Sequence, residues 1–414
     1  MTDYVFQQKL RVLANVDIIV VGGGPAGIAA AIAASRVGKK VILLEQSGQL
    51  GGMGTLGNVS IFMGVGNVTG IYREIISETL PNQLPKKHTD SIWPQFNPFV
   101  IRHYLNQKMD KEGVSVWYHA SFAGIVKLDK AGCVIAVNTR EGLVAVEGAV
   151  IIDGTGDGRV AINAGASYHS GRDSDGLTQP MTLMFMMQNT GKPVQPYLPE
   201  DCYDYKEVSE LPQGRHLYWE QGDNGTLLVN MSRIRGNGAR IDDINYAEKE
   251  GLRQVFSIAH YLQRNGFANY TLSHVAGQVG VRETNQIEGL YTLTEDDVTS
   301  GRRFADVVAQ SNYEIDIHSP DGKSGTDERK VGGYDIPYRS MVPKGVSNIL
   351  VAGRAISATH VAMSSMRVQA TCYALGQSAG IAAALSIDNN CQLSEVDVTQ
   401  LHAILKEQSV IFLK

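Results

Sequence analysis

The chain has 414 residues, of which 43% are apolar and 19% are charged, with a formal net charge of −5. This length supports more than one hydrophobic core, and the composition is typical of a soluble globular protein. The small negative charge gives no sign of nucleic-acid binding, and residues 1–15 lack the apolar stretch of a signal peptide. The four cysteines form no C-x-x-C motif, which argues against an iron–sulfur cluster, a zinc knuckle or a redox disulfide and favours a cytoplasmic protein.

Residues 16–57 predict a strand, a glycine turn, a helix, a second strand and a glycine-rich loop. The β-branched run at 17–21 is typical of a buried parallel strand, and Gly22, Gly24 and Gly27 follow it with G-x-G-x-x-G spacing. The first glycine permits a tight turn, the second lets a pyrophosphate approach the backbone, and the third lets the helix pack closely on its strand. This unit therefore predicts a bound dinucleotide.

The helix expected over residues 26–37 begins after Pro25, so its free N–H groups and positive dipole face the phosphates. Residues 41–44 predict the second strand, and Glu45 ends it, 45 − 22 = 23 positions after Gly22. A carboxylate there can bind the ribose hydroxyls and would repel the additional phosphate of NADP. Residues 18–34 are apolar, but they include four glycines and a proline, which argues against a membrane span.

The rest of the chain divides into segments of different composition. Residues 97–112 have helical spacing, and the β-rich runs 114–126, 133–139 and 143–152 predict a meander that ends at a second glycine turn, 153–157. Between about 166 and 330 the chain is richer in tyrosine and methionine, with strands expected at 181–187 and 226–231 and a helix at 244–264. A short strand at 348–352 and a small-residue helix at 366–386, too short and glycine-rich for a membrane span, complete the pattern.

Several distinctive segments follow one another along nearly the whole chain: VDIIVVGGGPAGIAAAIAA, LGGMGTLG, FNPFVIRHYL, VIIDGTGDG, LTQPMTLMF, GQVGVRETNQIEG, IPYRSMVPKGVSNILVAGRAISATH and SSMRVQATCYALGQSAGIAAAL. In this order they resemble the FAD-dependent oxidoreductase family of the glutathione-reductase-like flavoproteins. The resemblance implies an α/β fold, in which a Rossmann-type FAD-binding domain (a parallel sheet plus a three-stranded β-meander) carries an inserted α+β substrate domain. The expected boundaries are 1–62, 97–165 and 333–414 for the three parts of the FAD-binding domain, 63–96 for a connecting segment and 166–332 for the inserted domain.

The resemblance also implies the cofactor contacts. It places one set of residues at the pyrophosphate, the adenosine ribose, the adenine and the flavin ring: Gly22, Gly24, Pro25, Ala26, Gly27, Glu45, Gln46, Gly51, Gly52, Met53, Ser121, Phe122, Gly154, Thr155, Gly156, Gly353, Arg354, Met366, Arg367 and Val368. Arg367, at the start of the last long helix, is expected to stabilise negative charge on the reduced flavin. A structural role for Arg367 is the alternative.

The catalytic residues are harder to assign. His360 precedes the last helix, where a histidine could take a substrate proton as hydride leaves for flavin N5; it could equally cap a helix. Arg282 and Tyr338 are candidates for substrate binding, and Glu283 either pairs with Arg282 or acts as a base. Where the family commonly has arginines after G-V-R-E, this chain has Asn285 and Gln286, so an anionic group usual in substrates of relatives is absent here if those positions touch substrate.

Three other motifs suggest different chemistry. The EF-hand-like start at Asp153 has Ala164 at its twelfth position and so lacks the bidentate carboxylate, and no metal site is predicted. A P-loop-like end at residues 322–324 has neither the first glycine nor a preceding strand. The G-x-S-x-G at residues 376–380, followed by Asp397 and His402 in hydrolase order, places Ser378 inside a helical run rather than at a strand-to-helix elbow.

We therefore expect an FAD-dependent oxidoreductase that transfers hydride between a small organic substrate and flavin N5 and uses a separate electron donor or acceptor. A second nucleotide-binding unit is not evident in the sequence. An NAD(P)-dependent Rossmann dehydrogenase and a non-catalytic flavin-binding protein are the alternatives. The sequence indicates neither the substrate nor the oligomeric state.

Overall fold

The computed structural model describes residues 4–64, 66, 68–84, 93–222, 225–321 and 325–413. Nine α-helices lie within these residues: α1 (Pro25–Arg36), α2 (Ile71–Thr79), α3 (Pro98–Lys111), α4 (Arg159–Asn163), α5 (Ile241–Arg264), α6 (Glu295–Thr299), α7 (His360–Met366), α8 (Gln369–Asp388) and α9 (Val398–Glu407). The strands there are β1 (Val12–Asn15), β2 (Ile18–Val21), β3 (Val41–Glu45), β4 (Ser115–Tyr118), β5 (Ser121–Asp129), β6 (Gly132–Thr139), β7 (Gly142–Gly148), β8 (Val150–Asp153), β9 (Tyr168–Ser170), β10 (Phe185–Asn189), β11 (Tyr218–Gln221), β12 (Thr226–Val229), β13 (Tyr270–Val275), β14 (Asn285–Ile287), β15 (Val307–Ser311), β16 (Ile315–His318), β17 (Thr326–Arg329), β18 (Tyr334–Pro337) and β19 (Ile349–Val351).

A parallel five-stranded sheet with the order β19-β8-β2-β3-β4 forms the centre of the first core. Its strands β2, β3 and β8 are buried along their whole length, as expected for a sheet covered on both faces. Helices α1 and α8 pack against each other beside it. They approach so closely that a Cβ added at Gly376 would lie 1.9 Å from the carbonyl oxygen of Ala26.

The expected meander is present, with a different division of its strands. Strands β5, β6 and β7 pair antiparallel in sequence, and β1 adds parallel to β7 at the edge of this sheet. The predicted run 114–126 holds both β4 and the start of β5, and the run 143–152 holds β7 and β8. In the first run, β4 belongs to the parallel sheet and β5 to the meander. In the second run, β7 belongs to the meander and β8 to the parallel sheet. A short turn in each run redirects the chain between the two sheets.

A second core lies under a four-stranded antiparallel sheet, β11-β12-β10-β13, which packs against the amphipathic helix α5. Its fully buried residues include Phe185, Val229 and Leu262. Strands β15 and β18 form a separate pair whose apolar side chains join the first core.

The predicted helix at 366–386 corresponds to α8, which begins three residues later than expected, and the unpredicted helix α7 precedes it. Helix α7 ends at Met366, and Val368, in an extended conformation, is the N-cap of α8. Among the described residues, α8 alone is long and apolar enough to cross a membrane, and 89% of its apolar window is buried inside the protein.

Candidate active site

A cavity of about 570 Å³ connects the glycine turns of the first core with residues of the antiparallel sheet. Its wall includes the ends of β2, β3 and β8, the start of α8 and the hairpin of β16 and β17. The carboxyl ends of parallel strands are where open α/β sheets bind their ligands. The cavity is therefore the candidate active site.

The first glycine turn has the geometry that its spacing predicts. Gly22 adopts φ +106°, and a Cβ there would lie 2.5 Å from the carbonyl oxygen of Gly154. A Cβ on Gly27 would lie 1.8 Å from the carbonyl oxygen of Gly22, so α1 can pack on β2 only with glycine at this position. At Gly24 an added Cβ meets no atom within 4 Å, and Gly24 lines the cavity. The turn thus leaves a space beside its backbone that suits a pyrophosphate.

Glu45 is buried at the end of β3 and lines the cavity. Its Oε2 accepts a hydrogen bond from the Gly23 N–H at 2.8 Å, and its Oε1 accepts one from the Ser47 N–H at 2.6 Å. These two bonds fix the carboxylate beside the glycine turn and leave further lone pairs for ribose hydroxyls.

The second glycine turn is held by charged side chains. Asp153 Oδ2 accepts hydrogen bonds from the N–H groups of Val160 and Ala161 at 2.8 and 3.0 Å, which caps the start of α4. Arg354 donates to the carbonyl oxygen of Gly156 at 2.9 Å and to Asp157 Oδ1 at 2.6 Å, and also to the carbonyl oxygen of Val281. The EF-hand-like pattern at Asp153 therefore belongs to a helix cap, and Arg354 joins this turn to the chain that precedes Arg282.

Most of the residues expected at the cofactor line this cavity. They are Gly22, Gly24, Pro25, Ala26, Glu45, Gln46, Gly52, Met53, Ser121, Phe122, Gly154, Thr155, Gly156, Gly353, Arg354, Arg367 and Val368. Gly27, Gly51 and Met366 do not line it. Gly27 packs on Gly22, the Gly51 N–H donates to Gly23, and Met366 is fully buried in the first core.

Of the four expected catalytic residues, two line the cavity and two do not. Arg282 and Arg367 line the cavity, whereas His360 and Tyr338 do not. His360 Nδ1 lies 2.7 Å from Glu283 Oε1 in a buried pair, and the Tyr338 hydroxyl donates to the carbonyl oxygen of Leu393 at 2.7 Å. The expectation that His360 and Tyr338 face the substrate is thus corrected, because both side chains are engaged in the protein interior. Glu283 pairs with His360 and not with Arg282.

Five side chains on the cavity wall, which we call the polar cluster, are Arg282, Tyr313, Asp316, His318 and Arg367. Asp316 is at their centre. Its Oδ2 lies 3.2 Å from both Arg367 Nη2 and the Tyr313 hydroxyl, and its Oδ1 lies 3.5 Å from His318 Nε2. Burial alone would raise the pKa of Asp316, but His318, Arg367 and Arg282 hold it well below the usual range. Asp316 is therefore a charged anchor for its neighbours.

Sequence reasoning did not identify Tyr313, Asp316 or His318. A signal was present: residues 315–318 alternate apolar and polar, so Asp316 and His318 share one face of β16. That pattern does not indicate that the hairpin of β16 and β17 borders the cavity, because the contact depends on packing between distant parts of the chain.

The remaining motifs have structural roles. Asn285 donates to the carbonyl oxygen of Asp157 at 3.1 Å, Gln286 is fully buried, and neither lines the cavity. Their identity therefore does not decide the charge of a ligand there. Ser378 lies within α8 and donates to the carbonyl oxygen of Val308 at 2.6 Å, while His402 Nε2 lies 2.7 Å from the carbonyl oxygen of Val307. No hydrolase triad is assembled, and the P-loop-like residues 322–324 lie outside the described residues.

These residues fit FAD. The space at Gly24 and the carboxylate of Glu45 suit a pyrophosphate and a ribose. Val368 and Gln369, at the start of α8, also line the cavity, so the unpaired N–H groups and positive dipole of this 20-residue helix are available to an electron-rich ring.

The FAD-dependent oxidoreductase family model matches residues 17–405. The chain belongs to this family, is an enzyme, and has FAD as its cofactor. No curated protein sequence matches it.

Several solved structures are similar to this chain at low identity. A geranylgeranyl bacteriochlorophyll reductase-like protein from Thermoplasma acidophilum is 13% identical, with a TM-score of 0.50, and the match covers 96% of this chain and 84% of that one. At this identity the likeness concerns the fold alone. p-Nitrophenol 4-monooxygenase from Pseudomonas putida is 11% identical, with a TM-score of 0.46 and coverage of 96% and 84%. Anhydrotetracycline hydroxylase from Streptomyces rimosus is 12% identical, with a TM-score of 0.46 and coverage of 95% and 66%.

Proposed function

We propose that this enzyme transfers hydride between a small organic substrate and N5 of FAD, with the substrate held against the polar cluster. The observation that carries the proposal is that one cavity joins the glycine turns to Arg282, Arg367 and the other members of the cluster. FAD supplies the redox chemistry, so the protein has to orient a substrate carbon and manage charge and protons beside it.

Glu314 is the side chain best suited to move the accompanying proton. It lines the cavity, and it has no hydrogen-bond or ion-pair partner among the described residues. Burial, together with the nearby Glu328 and Asp316, raises the pKa of Glu314. A raised pKa makes the carboxylate a stronger base, which suits a group that exchanges a proton with the substrate. In substrate oxidation Glu314 takes the proton as hydride leaves carbon; in reduction it returns it.

His318 and Asp316 serve this chemistry less well. His318 Nδ1 faces Arg233 Nη2 at 3.2 Å, so the ring nitrogen that would accept a proton is occupied. Asp316 has three hydrogen-bonding neighbours and a lowered pKa, which makes it a poor base. We assign both to positioning Arg367 and the substrate.

Arg367 is proposed to balance negative charge on the reduced flavin. It precedes α8, lines the cavity, and its Nη2 donates to the backbone oxygen of Asp316 at 3.1 Å. The remaining guanidinium donors then act together with the α8 dipole. The electron donor or acceptor is proposed to be a separate molecule.

We further propose that the antiparallel sheet and α5 form the substrate domain inserted within residues 166–332. Its own core extends from Met181 to Val279, whereas Ile287 and Ile315 contribute to the first core. The polar cluster would then lie where the two cores adjoin, since Arg282 follows one core and Asp316 belongs to the β16 hairpin.

The test is anaerobic reduction of the FAD-loaded protein by candidate donors, followed as loss of the oxidised flavin absorption. With a donor that bleaches the wild-type flavin, Glu314→Gln should retain FAD and slow the bleaching by about 100-fold or more. Glu220→Gln, at an exposed residue of β11, is the control. A wild-type rate in Glu314→Gln contradicts the role of Glu314. A flavin that exchanges electrons with no organic donor or acceptor supports the non-catalytic alternative.

A further inference from the structure

Positive charge is concentrated beside the polar cluster. Arg215, Arg282 and Arg367 line the cavity, and Arg233 is buried behind His318. Of these three arginines near the polar cluster, two have carboxylate partners: Arg215 lies 2.7 Å from Glu328, and Arg367 lies 3.2 Å from Asp316.

Arg282 differs from both. Its Nη1 donates to the carbonyl oxygen of Pro180 at 2.7 Å and to Thr182 Oγ1 at 2.6 Å. Within the described ranges, no carboxylate lies within the 4.0 Å ion-pair distance of Arg282, and its Nε and Nη2 have no hydrogen-bond partner. The Thr182 hydroxyl itself donates to the carbonyl oxygen of Ser232 at 3.1 Å, so its lone pairs are turned towards Arg282. The guanidinium is thus fixed through one nitrogen while two nitrogens have donors to spare.

The surroundings of Arg282 disfavour its positive charge. Burial and the like charge of Arg367 lower the pKa of Arg282, and Asp316 opposes them only in part. Unpaired buried charges destabilise a protein, and such charges at a cavity wall commonly serve binding. A carboxylate matches the planar guanidinium fork and can accept two parallel hydrogen bonds from it.

From this geometry we infer that the substrate carries a carboxylate, which pairs with Nε and Nη2 of Arg282. The inference rests on the proposed function, since it describes how the same site holds its substrate. Thr182 and Pro180 orient the arginine, and Arg367 remains committed to Asp316. Glu314, which among the described carboxyl groups of the cavity wall has no hydrogen-bond or ion-pair partner, is then left for the reacting carbon.

The experiment titrates the FAD-loaded protein with acetate, benzoate and succinate and with the corresponding amides. Binding is followed as a change in the flavin spectrum and as a rise in the thermal unfolding midpoint. At least one carboxylate should bind saturably, while its amide does not. Arg282→Gln should weaken that binding by about 10- to 100-fold, Arg282→Lys should lose less, and Arg240→Gln, at an exposed arginine, should bind as the wild type does.

Equal responses to carboxylates and amides, no response to any carboxylate, or unchanged affinity in Arg282→Gln would overturn the inference. FAD content and reduction by dithionite are measured on every variant. A protein that holds no FAD refutes the proposed function. A protein that holds reducible FAD but does not distinguish carboxylates from amides refutes only the carboxylate site.

Discussion

His318 shows how the cavity changes the chemistry of a single side chain. Burial and the nearby charge of Arg282 lower the pKa of this imidazole from 6.5 to about 3, although Asp316 opposes them. Between those two values the unfolded chain binds a proton that the folded chain does not. The folded state therefore loses stability as the pH falls below about 6.5, by about 2 kcal/mol at a pH near 5.

We expect His318→Asn to reduce this acid sensitivity. Urea unfolding of the FAD-loaded protein near pH 7 and near pH 5 should show a stability difference smaller than that of the wild type by about 2 kcal/mol. His103→Asn, at an exposed histidine, should leave the difference unchanged. If His318→Asn and the wild type lose the same stability on acidification, the lowered pKa of His318 is not the cause of the acid sensitivity.

His360 and Glu283 form a buried pair behind the cavity wall. Glu283 Oε2 also accepts a hydrogen bond from the Gln179 N–H at 2.8 Å, and the side chain of Gln179 accepts one from the His318 N–H at 3.2 Å. The pair is thus linked through Gln179 to the β16 hairpin, and neither side chain lines the cavity. We propose a positioning role for the pair, in contrast to the catalytic role that the sequence suggests for His360.

His360→Ala leaves the Glu283 carboxylate buried without this partner, so we expect a loss of about 3 kcal/mol in the free energy of unfolding. Flavin reduction per bound FAD should stay near the wild-type rate. His360→Gln, which can still donate to Glu283, should recover part of the stability. Slow flavin reduction in a His360→Ala protein of unchanged stability would instead place His360 in the chemistry.

At the level of elements, α1 and α8 are joined through glycines. A Cβ at Gly380 would lie 2.2 Å from the carbonyl oxygen of Ala30, so Gly380→Ala must push the two helices apart. We expect thermal unfolding to show a loss of about 1–3 kcal/mol. Gly332→Ala is the matched control, because an added Cβ there meets no atom within 4 Å. Equal unfolding temperatures for the two variants would contradict the close packing of α1 against α8 at Gly380.

The first glycine turn allows a change that separates cofactor binding from folding. The Cβ position of Gly24 points into open space, so Gly24→Val should fold, and it should unfold as the wild type does when both are free of FAD. Its side chain would fill the space that a pyrophosphate needs, and we expect FAD binding to be lost. Circular dichroism and FAD content measure the two effects, with Gly332→Val as the control. Full FAD occupancy in a folded Gly24→Val protein would show that the pyrophosphate lies elsewhere.

The elements that the sequence predicts well are those with local signals. The unit from β2 to β3 is predicted by adjacent glycines and apolar runs. No observed end of β2, α1 or β3 differs from the expected one by more than one residue. Strand β1 escaped prediction because its residues are mostly exposed and its pairing partner β7 lies far along the chain. Helix α7 was not predicted, and α8 begins at residue 369 instead of 366 because Val368 is extended and acts as its N-cap.

At the level of the whole molecule, local sequence signals identify the nucleotide-binding part of the site but not the polar cluster. Gly22, Gly24 and Glu45 belong to one continuous segment, so the sequence alone identifies the nucleotide-binding region. Arg282 and Asp316 lie far apart in the sequence and line the same cavity only in the folded chain, so this part of the site is a product of long-range contacts. Single arginines and carboxylates in a sequence do not show which of them remains unpaired.

The most direct measurement is the visible absorption spectrum of the purified protein before and after addition of FAD, with identification of the nucleotide that denaturation releases. We expect a yellow protein, or one that becomes yellow on adding FAD, and FAD as the released nucleotide. A colourless protein that does not take up FAD, or one that releases NAD instead, would contradict this expectation.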